Sequence, residues 1–112
     1  MTGKTFLVEC CKVNTDISKI YWQGREIRTY GHVICSGEDH RFLVYFMDDK
    51  VERPKPEYIR KFKLGAIFVP QSEKDSYIRL SEENEPIYAY LNAQKPEMNC
   101  LSVNEPVKEH IY

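Results

Sequence analysis

The stretch Arg25–Met47, REIRTYGHVICSGEDHRFLVYFM, decides the fold. It contains two runs of β-branched and aromatic residues, separated by the polar segment 36–39. Two such runs around a short polar turn predict an antiparallel hairpin, in which apolar and polar side chains alternate between the two faces. Gly31 interrupts the first run and predicts a bend or bulge there.

Strand-like runs also lie on both sides of this hairpin. Residues 5–13 predict a first strand and residues 66–69 a fourth. Residues 76–80 and 87–91 predict two more strands, joined by an acidic loop as a second hairpin. For residues 17–22 the pattern leaves two alternatives open, a short helix and an irregular bridge.

One helix is predicted, over residues 54–64. Prolines stand at its start, lysines near its end and Gly65 directly after it, which is typical helix punctuation. Tyr58, Ile59 and Phe62 would form its buried stripe. Because the helix is short, its stability must come from packing against the strands.

This order of elements resembles a known architecture. Three strands, a short helix and two or three further strands is the order of a five-stranded Greek-key barrel of the OB type. The sequence therefore predicts a mainly β (or α+β) fold, a small five- to six-stranded OB-like barrel or curled sheet with one short helix. SH3-like barrels and open α+β sheets are the alternatives. We expect a single domain over residues 1–94 and a partly ordered C-terminal tail over residues 95–112.

Composition limits the classes of protein to which the chain can belong. Of its 112 residues, 42% are hydrophobic and 29% charged, as in globular domains that fold alone or as a small homo-oligomer. A membrane span needs about 18 to 20 consecutive apolar residues, so we expect no membrane association. The four cysteines show no disulfide-framework spacing, which predicts reduced thiols and a cytoplasmic location.

Charge is unevenly distributed along the chain. The net charge is −1, but residues 1–64 carry 12 basic and 9 acidic side chains, whereas residues 65–112 carry 4 and 8. Any anionic ligand should therefore prefer the first half of the chain.

We find no motif for catalysis, a cofactor or a metal. Three catalytic patterns lack the surrounding sequence and structure that they need. They are a nucleophile with a base, a glycine-rich phosphate loop and a pair of acids. His32, Cys35 and His40 lack the second Cys or His pair that zinc motifs normally show. We predict a binding module without enzymatic activity, cofactor or metal.

The candidate surface lies on the predicted 25–47 hairpin. Arg28, Tyr30 and His32 on its first strand and Arg41 and Tyr45 on its second could share one face, which Trp22 and Arg25 would extend. The densest basic stretch, residues 53–63, carries five cations, and we add two of them, Arg60 and Lys61, to the predicted surface. The predicted binding residues are Trp22, Arg25, Arg28, Tyr30, Arg41, Tyr45, Arg60 and Lys61.

Two functions of different classes fit this surface. Aromatic rings that stack on bases and guanidinium groups that meet phosphates favour weak binding of single-stranded nucleic acid. The alternative is a protein-interaction or regulatory subunit that buries the same tyrosine-rich face against a partner. A purely structural role, in which the tyrosines cover half-buried positions of the sheet, would give the same pattern.

Overall fold

The computed structural model of the chain describes residues 3–82 and 86–103. The fold is mainly β, with 53% of the described residues in strands and 18% in helices. The strands are β1 (Gly3–Leu7), β2 (Cys10–Asn14), β3 (Ser18–Trp22), β4 (Arg25–Thr29), β5 (His32–Gly37), β6 (His40–Met47), β7 (Glu57–Ile59), β8 (Leu64–Pro70), β9 (Tyr88–Asn92) and β10 (Cys100–Ser102). One α-helix, α1, spans Lys74–Glu82, and short 3₁₀ turns span Arg60–Phe62, Gln71–Glu73 and Pro96–Met98.

A five-stranded sheet with the order β2-β5-β6-β8-β7 forms the centre of the molecule. Strands β5 and β6 pair antiparallel from His32 opposite Tyr45 to Gly37 opposite His40, which confirms the predicted hairpin. Its two-residue turn holds Glu38 and Asp39 at φ 49° and 64°, the backbone twist that favours tight hairpins. Strand β8, predicted over residues 66–69, lies parallel to β6.

The two smaller sheets continue from bends in long strands. The chain passes from β1, which pairs with β9, into β2, which pairs with β5, so the predicted first strand 5–13 is two strands. Gly31 separates β4 from β5 at φ 116°, and a Cβ there would lie 2.5 Å from the backbone oxygen of Asn14. The predicted bend therefore has a steric cause that glycine alone relieves.

The first face of the central sheet carries the larger core, which we call the main core. Strand β6 contributes Phe42, Val44 and Phe46, each fully buried. β1 and β9 cover this face through Phe6 and Leu91. The other buried members of the cluster are Val33, Cys35, Ile67 and Ala89.

The second face carries a smaller core, which we call the minor core. Leu43 and Met47 of β6 lie here with Phe68 of β8, and the β3–β4 hairpin packs Ile27 onto them. Both alternatives for residues 17–22 were therefore wrong, because this segment is β3, paired with β4. The Gln23-Gly24 turn, with φ 53° and 78°, has the two positive values that a tight hairpin requires.

The prediction for residues 54–64 was wrong: this segment is not a helix. A residue before proline avoids helical backbone, which applies to both Arg53 and Lys55. The chain runs extended to β7 (Glu57–Ile59), which pairs with β8, and then makes the 3₁₀ turn Arg60–Phe62. Phe62, expected in a buried stripe, is 59% exposed.

The helix lies instead where a strand was predicted, over residues 76–80. In α1 the less exposed side chains are Lys74, Tyr77, Ile78, Leu80 and Ser81, mostly on one helical stripe. The Tyr77 ring lies 6.0 Å from that of Phe46, so the helix covers the main core. Because this segment is not a strand, the predicted hairpin 76–91 does not form, although β9 confirms its second strand.

Two predictions about overall organisation have mixed outcomes. Within residues 3–82 and 86–103 none of the three sheets closes into a barrel, so an OB-like barrel is not confirmed. The domain boundary after residue 94 stays a prediction, although β10, beyond it, pairs with β9. Residues 104–112 of the predicted tail lie outside the described part of the chain.

Candidate functional site

A line of aromatic rings crosses the second face from its covered part to its open half. His32 and Tyr45 are opposite one another on β5 and β6, with ring centroids 5.8 Å apart. Tyr45 stacks on Phe68 at 5.4 Å and 19°, and the edge of Trp22 meets Phe68 at 5.4 Å. These four rings form what we call the aromatic row. It runs from beneath the β3–β4 hairpin to the half-exposed ring of His32.

Two members of the aromatic row have distinctive polar atoms. Burial raises the pKa of Tyr45, partly offset by the charge of Arg41, so its hydroxyl stays protonated at neutral pH. The indole N–H of Trp22 is buried and has no hydrogen-bond partner among the described residues. An unpaired buried donor costs about 1–3 kcal/mol unless a water molecule or ligand accepts its hydrogen bond.

Four cations lie where β6 begins, and we call them the basic end. Arg41 lies near the start of β6, with its side chain exposed on the second face. Its backbone N–H donates a hydrogen bond to the carbonyl of Lys63 (3.0 Å). Lys63 ends the 3₁₀ turn in the left-handed conformation, with φ 52°. Arg60 and Lys61 belong to that turn and are exposed. The fold thus brings two distant parts of the sequence together.

An exposed aromatic ring lies within the basic end. Phe62 is 59% exposed, and the Lys61 ammonium lies 5.6 Å from the centre of its ring. A cation at this distance interacts favourably with the ring face. The turn therefore presents an exposed apolar ring in contact with the positive charge of Lys61.

The charges of the basic end are not neutralised by ion pairs. Among the described residues the ion pairs are Lys4–Glu38 (3.0 Å) and Lys19–Glu26 (3.6 Å), and neither includes a cation of the basic end. Two carboxylates outside these ion pairs lie close to the four cations: the exposed Asp39 of the β5–β6 turn and the partly exposed Glu57 on β7. Positive charge therefore dominates this end of the sheet.

The structure brings five predicted binding residues to this surface. Arg41 and Tyr45 lie on the second face, Arg60 and Lys61 in the basic end, and Trp22 at the covered end of the aromatic row. His32, part of the predicted face but not of the predicted binding set, is there as well.

Of the other three predicted binding residues, Arg25 is opposite Trp22 at the covered end of the aromatic row, whereas Arg28 and Tyr30 lie elsewhere. Arg28 is opposite Lys19 on the outer side of the β3–β4 hairpin. Tyr30 packs against the main core, and its carbonyl accepts a hydrogen bond from Lys74 Nζ (2.8 Å). Arg25 donates to the carbonyl of Glu52 (2.8 Å). The expected common face of Arg28, Tyr30 and His32 was wrong, because the bend at Gly31 interrupts the alternation.

Sequence reasoning missed two residues of this surface. Lys12 of β2 is opposite Ile34 and exposed, so it extends the second face with another cation. Lys12 was missed because a single strand over residues 5–13 was predicted. The bend between β1 and β2 changes which residues share a face. Phe62 was assigned to a core, and the prolines before it were the signal against a helix.

The described residues contain neither a metal-binding cluster nor a helix that could span a membrane. Within the described residues no group of three or more His, Cys, Asp or Glu side chains is placed to hold a metal ion. No helix of the described part is long and apolar enough to cross a membrane. No protein-family model matches the chain, and neither a curated protein nor a solved structure shows significant similarity to it.

Proposed function

We propose that the protein is a non-enzymatic module that binds single-stranded nucleic acid weakly. The observation that carries this proposal is that Arg41 of the basic end and His32 and Tyr45 of the aromatic row lie on the same open sheet face. Cations there would contact phosphates, and exposed rings would stack on bases without regard to their identity. Arg41 links the two parts, because it belongs to the basic end and lies on the same face as Tyr45.

The strand order supports an OB-like interpretation of this surface. In the sheet β2-β5-β6-β8-β7, strand β8 returns parallel beside β6, and β7 lies outside it at the edge. In OB folds the second and third strands bind oligonucleotides. Their equivalents by order would be β5 and β6, which carry His32, Arg41 and Tyr45.

Salt dependence gives the first test. Contact of the four basic-end cations with phosphates of a single strand predicts a fall of about 50-fold in affinity between about 50 and 200 mM salt. Fluorescence anisotropy with a labelled oligonucleotide of about 12 nucleotides measures this directly. Absence of binding at the lower salt concentration would overturn the proposal.

Paired variants locate the binding surface. Arg60→Ala/Lys61→Ala should weaken oligonucleotide binding about tenfold at low salt and reduce the salt slope by about 1.4, since two cations are removed. The matched control is Lys19→Ala/Arg28→Ala, which removes two cations from the outer side of the β3–β4 hairpin. Equal losses in both variants would indicate non-specific attraction rather than this surface.

A protein partner is the second candidate function. Val13, Ile17 and Tyr21 are 40%, 64% and 76% exposed, which leaves apolar surface along the segment from β2 to β3. Aromatic and apolar anchors are typical of protein interfaces. A Tyr21→Ser/Ile17→Ser variant that loses a co-purifying protein while keeping oligonucleotide affinity would favour this candidate. In either case the four free thiols support a cytoplasmic location.

A further inference from the structure

Two of the four cysteines lie side by side in the central sheet. Cys11 on β2 is directly opposite Cys35 on β5, and their Sγ atoms are 3.6 Å apart. Opposite residues of antiparallel strands have Cα atoms about 4.5–5.5 Å apart. Disulfides accept Cα separations of about 4.4–6.8 Å, so this pair can be bridged without rearranging the strands.

The two thiols differ in access to solvent. Cys35 is 1% exposed and belongs to the main core, whereas Cys11 is partly exposed on the edge strand β2. A cleft of about 220 Å³ opens beside Cys11. It lies between β2, the end of α1 and the start of β9, and its lining residues include Glu9, Ser81 and Ile87. A small reagent can therefore reach Cys11 but not Cys35.

We propose that Cys11 and Cys35 form a reversible redox pair, in which a small peroxide entering the cleft oxidises Cys11 and Cys35 then closes a disulfide. In the first step the Cys11 thiolate attacks a peroxide oxygen. The O–O bond breaks, the leaving oxygen takes a proton, and Cys11 becomes a sulfenic acid. In the second step the Cys35 sulfur attacks the Cys11 sulfur, and the hydroxide that leaves takes the Cys35 proton. Two thiols and hydrogen peroxide thus give one disulfide and two waters.

The electrostatics of the pair assign the two roles. The hydrogen bond from Cys35 lowers the pKa of Cys11 to about 7, although burial acts in the opposite direction. The same hydrogen bond and burial raise the pKa of Cys35. The shared proton therefore stays on Cys35, and Cys11 is the thiolate that reacts at neutral pH.

The oxidised form should be readily reduced. Cβ atoms of opposite strand residues are about 4.5–5.5 Å apart, more than the roughly 3.5–4.5 Å that a relaxed disulfide prefers. The resulting strain favours attack by a dithiol on Cys11, the accessible sulfur. This chemistry does not depend on nucleic-acid binding, so either proposal can fail without the other.

Peptide mapping of the oxidised chain tests the proposal. In a Cys10→Ser/Cys100→Ser variant, which removes the two exposed thiols, a few equivalents of hydrogen peroxide should link tryptic peptides 5–12 and 29–41. The intact protein should lose the mass of two hydrogen atoms and remain monomeric, and dithiothreitol should restore both thiols. Two free thiols after this treatment, or oxidation of Cys11 beyond the sulfenic acid without a cross-link, would overturn it.

Single replacements of the pair separate the two roles. With Cys35→Ala in the same background, Cys11 should accumulate as a sulfenic acid that dimedone traps, whereas with Cys11→Ser the Cys35 thiol should survive the same peroxide. Because Cys35→Ala alters the main core, circular dichroism must first show a native fold. The cross-link in the variant that retains both cysteines needs no core replacement and decides the question by itself.

Discussion

The two faces of the central sheet are built from the same strands but are covered to different extents. On the first face, strands β1 and β9 and helix α1 enclose the side chains of the main core. On the second face, the β3–β4 hairpin covers the minor core, and the remaining half stays open around His32, Tyr45 and Arg41.

The difference indicates where stability and where binding reside. Alternate residues of β6 point to opposite faces, so Phe46 is fully buried while its neighbour Tyr45 keeps part of its ring exposed. Replacements on the first face should therefore change the free energy of unfolding. Replacements on the open half of the second face should change ligand binding at little cost in stability.

Phe46→Ala should have the largest effect. The ring is fully buried between the sheet and Tyr77 of α1, and its removal leaves a cavity that a closed core cannot fill. We expect a loss of about 3–5 kcal/mol in the free energy of unfolding, measured by urea denaturation. A loss below about 1 kcal/mol would contradict a tightly packed main core.

Gly31→Ala tests the bend that brings the β3–β4 hairpin onto the second face. The added Cβ would collide with the Asn14 backbone at a φ of 116°, and we expect a loss of about 1–3 kcal/mol. Gly24→Ala is the matched control, because it also has a positive φ, 78°, but no atom lies within 4 Å of the added Cβ. If both variants lose equal stability, the collision contributes nothing.

The adjacent Cys10 and Cys11 point to opposite faces, and the reactivity of Cys11 probes the first face. In the Cys10→Ser/Cys100→Ser background, a pKa of about 7 for Cys11 makes alkylation by iodoacetamide rise with pH as the thiolate forms. The rate should increase about tenfold between about pH 6 and pH 8.

Cys35 is the main cause of this shift, and a variant checks that assignment. Cys35→Ala removes the hydrogen bond, so the midpoint of the alkylation profile should move to higher pH. The charged residues closest in sequence, Glu9 and Lys12, are unchanged in this variant. A midpoint that does not move would show that they, rather than Cys35, set the acidity of Cys11.

Local patterns predicted the hairpin but not its partners. Residues 32–47 pair around the polar turn as expected, whereas residues 25–29 of the predicted strand pair with β3. The helix and strand assignments after residue 53 were exchanged because short apolar runs fit both periods. Two signals contradicted these assignments. Residues before proline disfavour a helix over residues 54–64. The spacing of Tyr77, Ile78 and Ser81 favours a helix rather than a strand over residues 76–80.

The candidate site was predicted in part for a similar reason. Arg41 and Tyr45 are two apart on one unbroken strand, so alternation placed them correctly. Arg28 and Tyr30 lie before the bend at Gly31, where alternation along the chain no longer predicts a common face. The closeness of Lys63 to Arg41 comes from the parallel pairing of β6 with β8, which no local pattern contains.

Phe62→Ala should have the smallest effect on stability and gives the sharpest contrast with Phe46→Ala. The same atoms are removed, but from a ring that is 59% exposed, so the free energy of unfolding should change by less than about 0.5 kcal/mol. Oligonucleotide affinity should nevertheless fall, because a stacked base contributes about 1–3 kcal/mol. Phe62→Tyr, which keeps a ring that can stack, should retain binding. If Phe62→Ala binds as well as the unaltered chain, the basic end acts through charge alone, and stacking must be sought at His32 and Tyr45.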